Sequence, residues 1–160
     1  MVGAGIAGII NLRAKRNEYV NDYYKTVIKR RITAYEELEK FIVRLKTSVV
    51  GDDNRPCHVM FVFGENAEDP RVSVVGLTAH ALWLSNEIFA ETRKLDILLF
   101  GLKQGNEIEF GKKNYQAIAT HREELERLMA KDMLNLHDVK GFLKGKDKPD
   151  PGFSPIKLQH

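Results

Sequence analysis

Absences set the first bounds on this chain. It has a single Cys in 160 residues, which removes any internal disulfide framework and any multi-Cys zinc site. No stretch reaches about 18 consecutive apolar residues, so no segment spans a bilayer unaided. No sequence period repeats, which excludes solenoids. His-Glu-x-x-His does not occur, so the helical zinc-protease site is missing. Three residues before His58, His80, His121 and His137 stand Arg55, Leu77, Ile118 and Leu134, so the Glu-x-x-His of di-iron bundles fails four times. What is present, 43% apolar and 29% charged residues, suits one globular domain.

Charge is uneven along the chain. Residues 1–50 hold ten basic and five acidic side chains (net +5), residues 51–160 fifteen and seventeen (net −2), which together give the formal +3. The excess sits early, where Arg13, Lys15, Arg16, Lys25, Lys29, Arg30 and Arg31 face only Glu18 and Asp22. A basic stretch of this kind suits anionic lipid, nucleic acid or plain solvation.

Its neighbour separates these. Residues 1–12 are uncharged and rich in small side chains, and as a helix would reach about 18 Å against a hydrocarbon core of about 30 Å. They resemble the inner end of a transmembrane helix, followed by basic residues where a cytoplasmic flank would sit. Ala4 and Gly8 give the small-xxx-small spacing of close helix approach in lipid. A secretory signal would place its basic residues first. Gly3, Gly5 and Gly8 spell G-x-G-x-x-G, but only Met1 and Val2 precede them, so the strand that opens a dinucleotide fold is missing. A shortened or interfacial anchor is the expectation, with Arg13, Lys15, Arg16 and Tyr19 facing lipid.

From Asn17 to Thr47 the apolar period is helical. Tyr24, Val27, Ala34, Leu38, Phe41 and Leu45 fall on heptad a and d positions, with Arg31 the one polar exception. No Pro or Gly falls within residues 9–50, so the helix is expected to run on from the apolar tip and to protrude beyond shorter partners. Gly51 to Pro56 forms a turn, and Cys57–Phe63 reads as a strand. After an acidic loop, Asp69 and Pro70 start a helix expected to reach Trp83. Ser85 caps another to about Gln104, a third runs from about Lys113 to Leu134, and a short one lies near Asp138–Leu143. The expected fold is mostly α, an antiparallel helical bundle with a long first helix and a short β element after it. Its parts are an anchor-like segment (1–12), a helical domain (13–143) and a Pro-rich mobile tail (144–160).

Tyr19-Val20-Asn21-Asp22-Tyr23-Tyr24, Lys29 to Glu36, Pro56 to Phe61 and Leu82-Trp83-Leu84-Ser85 resemble a family of uncharacterised bacterial proteins. Those proteins carry an N-terminal anchor, a long helix and a small helical domain. The resemblance covers roughly residues 5–104 and implies an architecture and a bacterial or phage source, with no activity to transfer.

Chemistry is sparse in the remaining residues. His121 lies between Ile118 and Leu125 on a core-facing stripe, with Glu124 three residues on as its expected acid partner, and reads as a hydrogen-bonded core or boundary His. Cys57 reads as structural, since His58 would point to the other face of a strand. Gly105 to Lys112 misses the phosphate-loop spacing by one residue, and Lys113 stands where magnesium needs Ser or Thr. Glu65, Glu68 and Asp69 read as a solvated loop. The expectation is therefore a non-enzymatic interaction or scaffolding domain with no cofactor and no metal. It would sit at the cytoplasmic face of an inner membrane, or in the cytoplasm if the segment does not anchor. Its partner would be lipid, a protein or a second copy. The alternative is a soluble nucleic-acid-binding or phage-associated protein using Lys25, Lys29, Arg30 and Arg31 as phosphate contacts.

Overall fold

The computed structural model describes the backbone of residues 3–62, 69–103 and 105–146, and their side chains from Lys15 onward. The chain is mostly helical, with a two-stranded antiparallel sheet after a long first helix. Helix α1 covers Gly3–Lys46 without a break. Strands β1 (Ser48–Val50) and β2 (Pro56–His58) form a hairpin, in which Val49 pairs with Cys57. Five further helices follow: α2 (Pro70–Thr78), α3 (Asn86–Leu99), α4 (Glu107–Lys113), α5 (Tyr115–Leu134) and α6 (Val139–Lys146).

Local chemistry sets several of these boundaries. Asp69 accepts a hydrogen bond from the Arg71 backbone amide at the start of α2, where Pro70 needs no partner for its missing N–H. Ser85 accepts from the Ile88 amide at the start of α3. The hairpin turn places Asn54 at a φ of 57°, the left-handed region that Asn tolerates better than most residues.

The core is one layer of helix against helix. Val27, Ala34, Leu38, Phe41 and Leu45 of α1 are buried, as the heptad spacing expects. Of these, Ala34, Leu38, Phe41 and Leu45 meet Val74 and Leu77 of α2, Ile88, Leu95 and Leu99 of α3, and Ile118 and Leu125 of α5 in one cluster. Each fully buried Leu or Ile contributes about 1.5–3 kcal/mol. Side-chain contacts fix the directions. Arg44 reaches Ser73, Glu91 reaches His121, Lys131 reaches Glu87, and Tyr35 reaches Asp132. Accordingly α2 and α5 run antiparallel to α1, and α3 antiparallel to α5.

Three expectations are corrected. The strand expected over Cys57–Phe63 stops at His58, and Val59–Phe61 is a turn of 3-10 helix. The Val62 amide donates to the Val59 carbonyl at 3.0 Å, the three-residue bond of a tight helical turn, so these backbone groups are not available to a strand partner. The segment read as a failed phosphate loop contains α4, a helix obscured by Gly105, Asn106 and Gly111. Helix α6 runs to Lys146, into the segment assigned to the tail, while residues 147–160 lie outside the described residues. The loop carrying Glu65 and Glu68 also lies outside them.

Gly111 is a contact requirement rather than a turn. A Cβ there would stand 2.7 Å from Cys57 Sγ and 2.9 Å from the Phe61 ring, both core atoms. Gly111→Ala is therefore expected to lose about 1–3 kcal/mol through overpacking, despite Ala's better helix propensity. Urea unfolding checks this, and a variant as stable as the parent would show that α4 can back away from β2.

Candidate functional site

The feature that sets this bundle apart is where α1 leaves it. Among the described side chains, from Lys15 onward, none before Val27 is buried. From Lys15 to Thr26, about 18 Å of helix, every side chain is exposed except the half-buried Tyr24. The segment therefore forms an arm beyond the core, as the sequence expects. Lys15, Arg16 and Tyr19 lie on it and are exposed, Tyr19 to 75%. The side chain of Arg13 and those of the apolar segment lie outside the described residues. Among the described residues no helix is long and apolar enough to cross a membrane.

At the root of the arm the four alternative phosphate contacts divide. Lys25 pairs with Asp22 at 3.3 Å. Lys29 and Arg30 are exposed and make no ion pair among the described residues. Arg31 is corrected: it is only 3% exposed, so it is not available to a phosphate backbone. Its guanidinium donates to the Leu136 carbonyl at 2.8 Å and lies 4.1 Å over the Phe142 ring, so it holds α6 onto α1. Beside it the Tyr35 hydroxyl donates to Asp132 at 2.8 Å. Burial and that carboxylate push the Tyr35 hydroxyl's pKa well above the usual tyrosine range.

Helix α6 closes this end of the bundle. Lys146 donates to the Ala81 carbonyl at 2.9 Å and Asn86 donates to the Gly145 carbonyl at 3.1 Å, which ties α6 to the α2–α3 turn. Lys140 and Lys144 each stand two residues from Phe142, about 160° around the helix from its inward-facing ring. Both are exposed and make no ion pair among the described residues.

Several polar groups elsewhere are paired within the bundle. Glu91 is 5% exposed and accepts from His121 Nδ1 at 2.6 Å and from Lys94 Nζ at 2.7 Å, bridging α3 and α5. The acid partner of His121 is thus Glu91 rather than the expected Glu124, which pairs with Arg127. Cys57 and His58 face opposite sides of β2, yet both faces are covered. Cys57 Sγ sits 3.7 Å from the Ile108 carbonyl, while His58 Nε2 donates to the Tyr115 carbonyl and stacks on the Tyr115 ring. Burial pushes the Cys57 thiol up and the His58 imidazole down, which keeps both neutral and makes the thiol a poor nucleophile. Arg55 binds Glu109 through both oxygens and also holds Asp53, which Lys112 holds in turn, pinning the hairpin turn to α4.

A groove of about 350 Å³ runs between α1 and α2 over Phe41 and Leu77, rimmed by Glu37, Lys40, Arg44, Ser73 and His80. Its charges are mixed, with Lys40 held by Glu37 at 2.7 Å and Arg44 by Ser73 at 2.8 Å. Among the described residues no three His, Cys, Asp or Glu side chains gather as metal ligands would. Compared with known proteins, the chain matches no family model, no curated protein and no solved structure.

Proposed function

We propose that this chain is a non-enzymatic interaction or scaffolding domain, held beside an anionic membrane surface by its N-terminal segment at the cytoplasmic face of a bacterial inner membrane. The observation carrying this reading is the arm, a stretch of helix that buries nothing in its own bundle. Solvent-exposed Lys15, Arg16 and Tyr19 on it follow an apolar run directly. Arg and Lys snorkel to headgroups, and Tyr favours the same interfacial zone. An apolar segment and a basic flank together make the two signals that stable membrane anchoring needs.

Fractionation of cells expressing the full chain and a form lacking residues 1–12, with a carbonate wash, tests it. The full chain is expected in the washed pellet and the shortened form in the supernatant. A full-length chain that stays soluble and monodisperse overturns the anchor. A second reading rests on Lys29 and Arg30, which are exposed without an acid partner among the described residues. It expects nucleic acid to co-purify with the protein and to be stripped by high salt.

A further inference from the structure

Strand β1 is paired on one edge and open on the other. In the hairpin the Val59 amide donates to the Thr47 carbonyl at 2.8 Å and the Gly51 amide to the Arg55 carbonyl at 3.2 Å. Bonded and non-bonded pairs alternate along an antiparallel ladder, so Thr47, Val49 and Gly51 are the residues that face β2. Ser48 and Val50 therefore turn their N–H and C=O groups away from β2. Among the described residues none of these four groups makes a hydrogen bond. All three residues of β1 are exposed, Val50 to 66%, and no helix packs against β1 as α1, α4 and α5 do against β2. The Ser48 side chain, on a face of the strand, accepts from Tyr115 Oη at 3.3 Å and leaves the backbone edge clear.

An open edge of this kind is a template for another strand, and proteins commonly guard theirs with Lys, Pro or a bulge. Here the edge reads Ser-Val-Val, uncharged, with two β-branched residues and a regular register. The charges of the hairpin turn beside it are held within the chain. Arg55 binds Glu109 and Asp53, and Lys112 binds Asp53 as well. Nothing in that set leaves one sign of charge to repel an approaching strand.

We propose that β1 pairs antiparallel with β1 of a second copy of this chain, joining two hairpins into one four-stranded sheet. The inference rests on the interaction-domain reading, whose partner it names, and not on the anchor. The outward groups choose the register. Centred on Val49, the pairing sets Ser48 opposite Val50 of the copy and Val50 opposite its Ser48. Both outward residues of each strand are then used, and four backbone hydrogen bonds form. Centred on Ser48 or on Val50, only one bonded pair falls within the strands. A slip of one residue sets outward groups against inward ones and forms none. The favoured arrangement is isologous, each chain giving what it receives. A lipid surface or a phosphate backbone offers no matched row of N–H and C=O groups to this edge. Three residues are a small interface beside those of stable dimers, so the association is weak and concentration-dependent.

The test is amide exchange by NMR together with sedimentation velocity, on the full chain in excess non-ionic micelles, which keep residues 1–12 of different chains apart. Between about 20 µM and about 1 mM, the Ser48 and Val50 amides are expected to gain severalfold protection. The Val59 amide, bonded inside the hairpin, should stay constant. Val50→Pro removes an outward N–H and no hairpin bond, and should weaken association roughly tenfold. Val49→Lys sets like charges opposite each other across the two-fold axis and should do the same. Val72→Lys, on the exposed side of α2, should leave association unchanged. Unaltered Val59 protection marks an intact hairpin, and Val49→Lys decides the matter if Val50→Pro disturbs it. Ser48 and Val50 amides indifferent to concentration overturn the pairing, as does a dimer that survives both variants. A chain still monomeric at about 1 mM, whose Ser48 and Val50 amides are protected by a synthetic extended peptide of alternating Val and Thr, overturns the second copy in favour of a partner's strand. That outcome removes the copy and keeps the interaction-domain reading. None of these results moves the fractionation outcome, so the pairing and the anchor fail separately.

Discussion

Glu91→Ala is expected to cost about 2–3 kcal/mol and to lower the melting temperature by roughly 5–10 °C. The carboxylate is 5% exposed and is the shared acceptor of His121 on the facing helix and Lys94 on its own. Removing it leaves the His121 N–H without its acceptor in a part-buried seam and opens a hole beside Leu95 and Ile88. Glu91→Gln keeps the volume and one acceptor, and should cost less than half as much. Thermal unfolding by circular dichroism ranks the two, and equal stability of Glu91→Ala and the parent would sink the idea that this pair joins α3 to α5.

The same site sets a pH dependence. Burial pushes the Glu91 carboxyl up, but the hydrogen bonds and charges of His121 and Lys94 outweigh it, and the net shift is downward from 4.5. A folded-state pKa below the unfolded one means that the contribution is fully present above the unfolded value. It is lost as pH falls from the unfolded value through the folded one. The groups facing this carboxyl are Lys94 from α3 and His121 from α5, with Glu124 close to Lys94. The stability gap between parent and Glu91→Gln should therefore shrink progressively as pH falls below about 4.5. Paired denaturant titrations at several pH values measure it. A gap that widened in acid would mean that the folded state raises this pKa.

How far the sequence speaks for the fold depends on the range of the interaction. The heptad spacing in α1 marks Val27, Ala34, Leu38, Phe41 and Leu45 as interior, and all five are buried, because helical periodicity is a local property. Arg31 shows the limit. Its heptad position says interior and its chemistry says surface, and its position decides, since Leu136 and Phe142 arrive from more than 100 residues away to satisfy it. His121 is on the expected stripe, but its acid comes from another helix, 30 residues off, rather than from the next turn. Helix α4 hides behind Gly111, whose missing side chain makes sense only with Cys57 and Phe61 beside it. The arm was legible as an excess of helix over core.

Arg31→Ala is expected to cost about 3 kcal/mol and to loosen α6 before the rest of the bundle. A guanidinium 3% exposed, with no carboxylate against it, is tolerated only because its plane covers the Phe142 ring and one N–H reaches the Leu136 carbonyl. Truncation loses the stem's packing, the ring contact and the carbonyl's donor together. Helix α6 has little else to hold it: Val139 is its one fully buried residue, and the remaining ties are hydrogen bonds at its far end. Its opening is therefore a local event, cheaper than global unfolding, and hydrogen exchange should accelerate first in the α6 amides. Lysine at 31 cannot both stack on the ring and reach the carbonyl, so Arg31→Lys should fall between parent and Arg31→Ala. Lys29→Ala and Arg30→Ala, one turn of exposed helix beside it, should stay within about 0.5 kcal/mol of the parent. If Arg31→Ala kept both the stability and the α6 protection of the parent, the residue would have to be returned to the surface set from which its burial removes it.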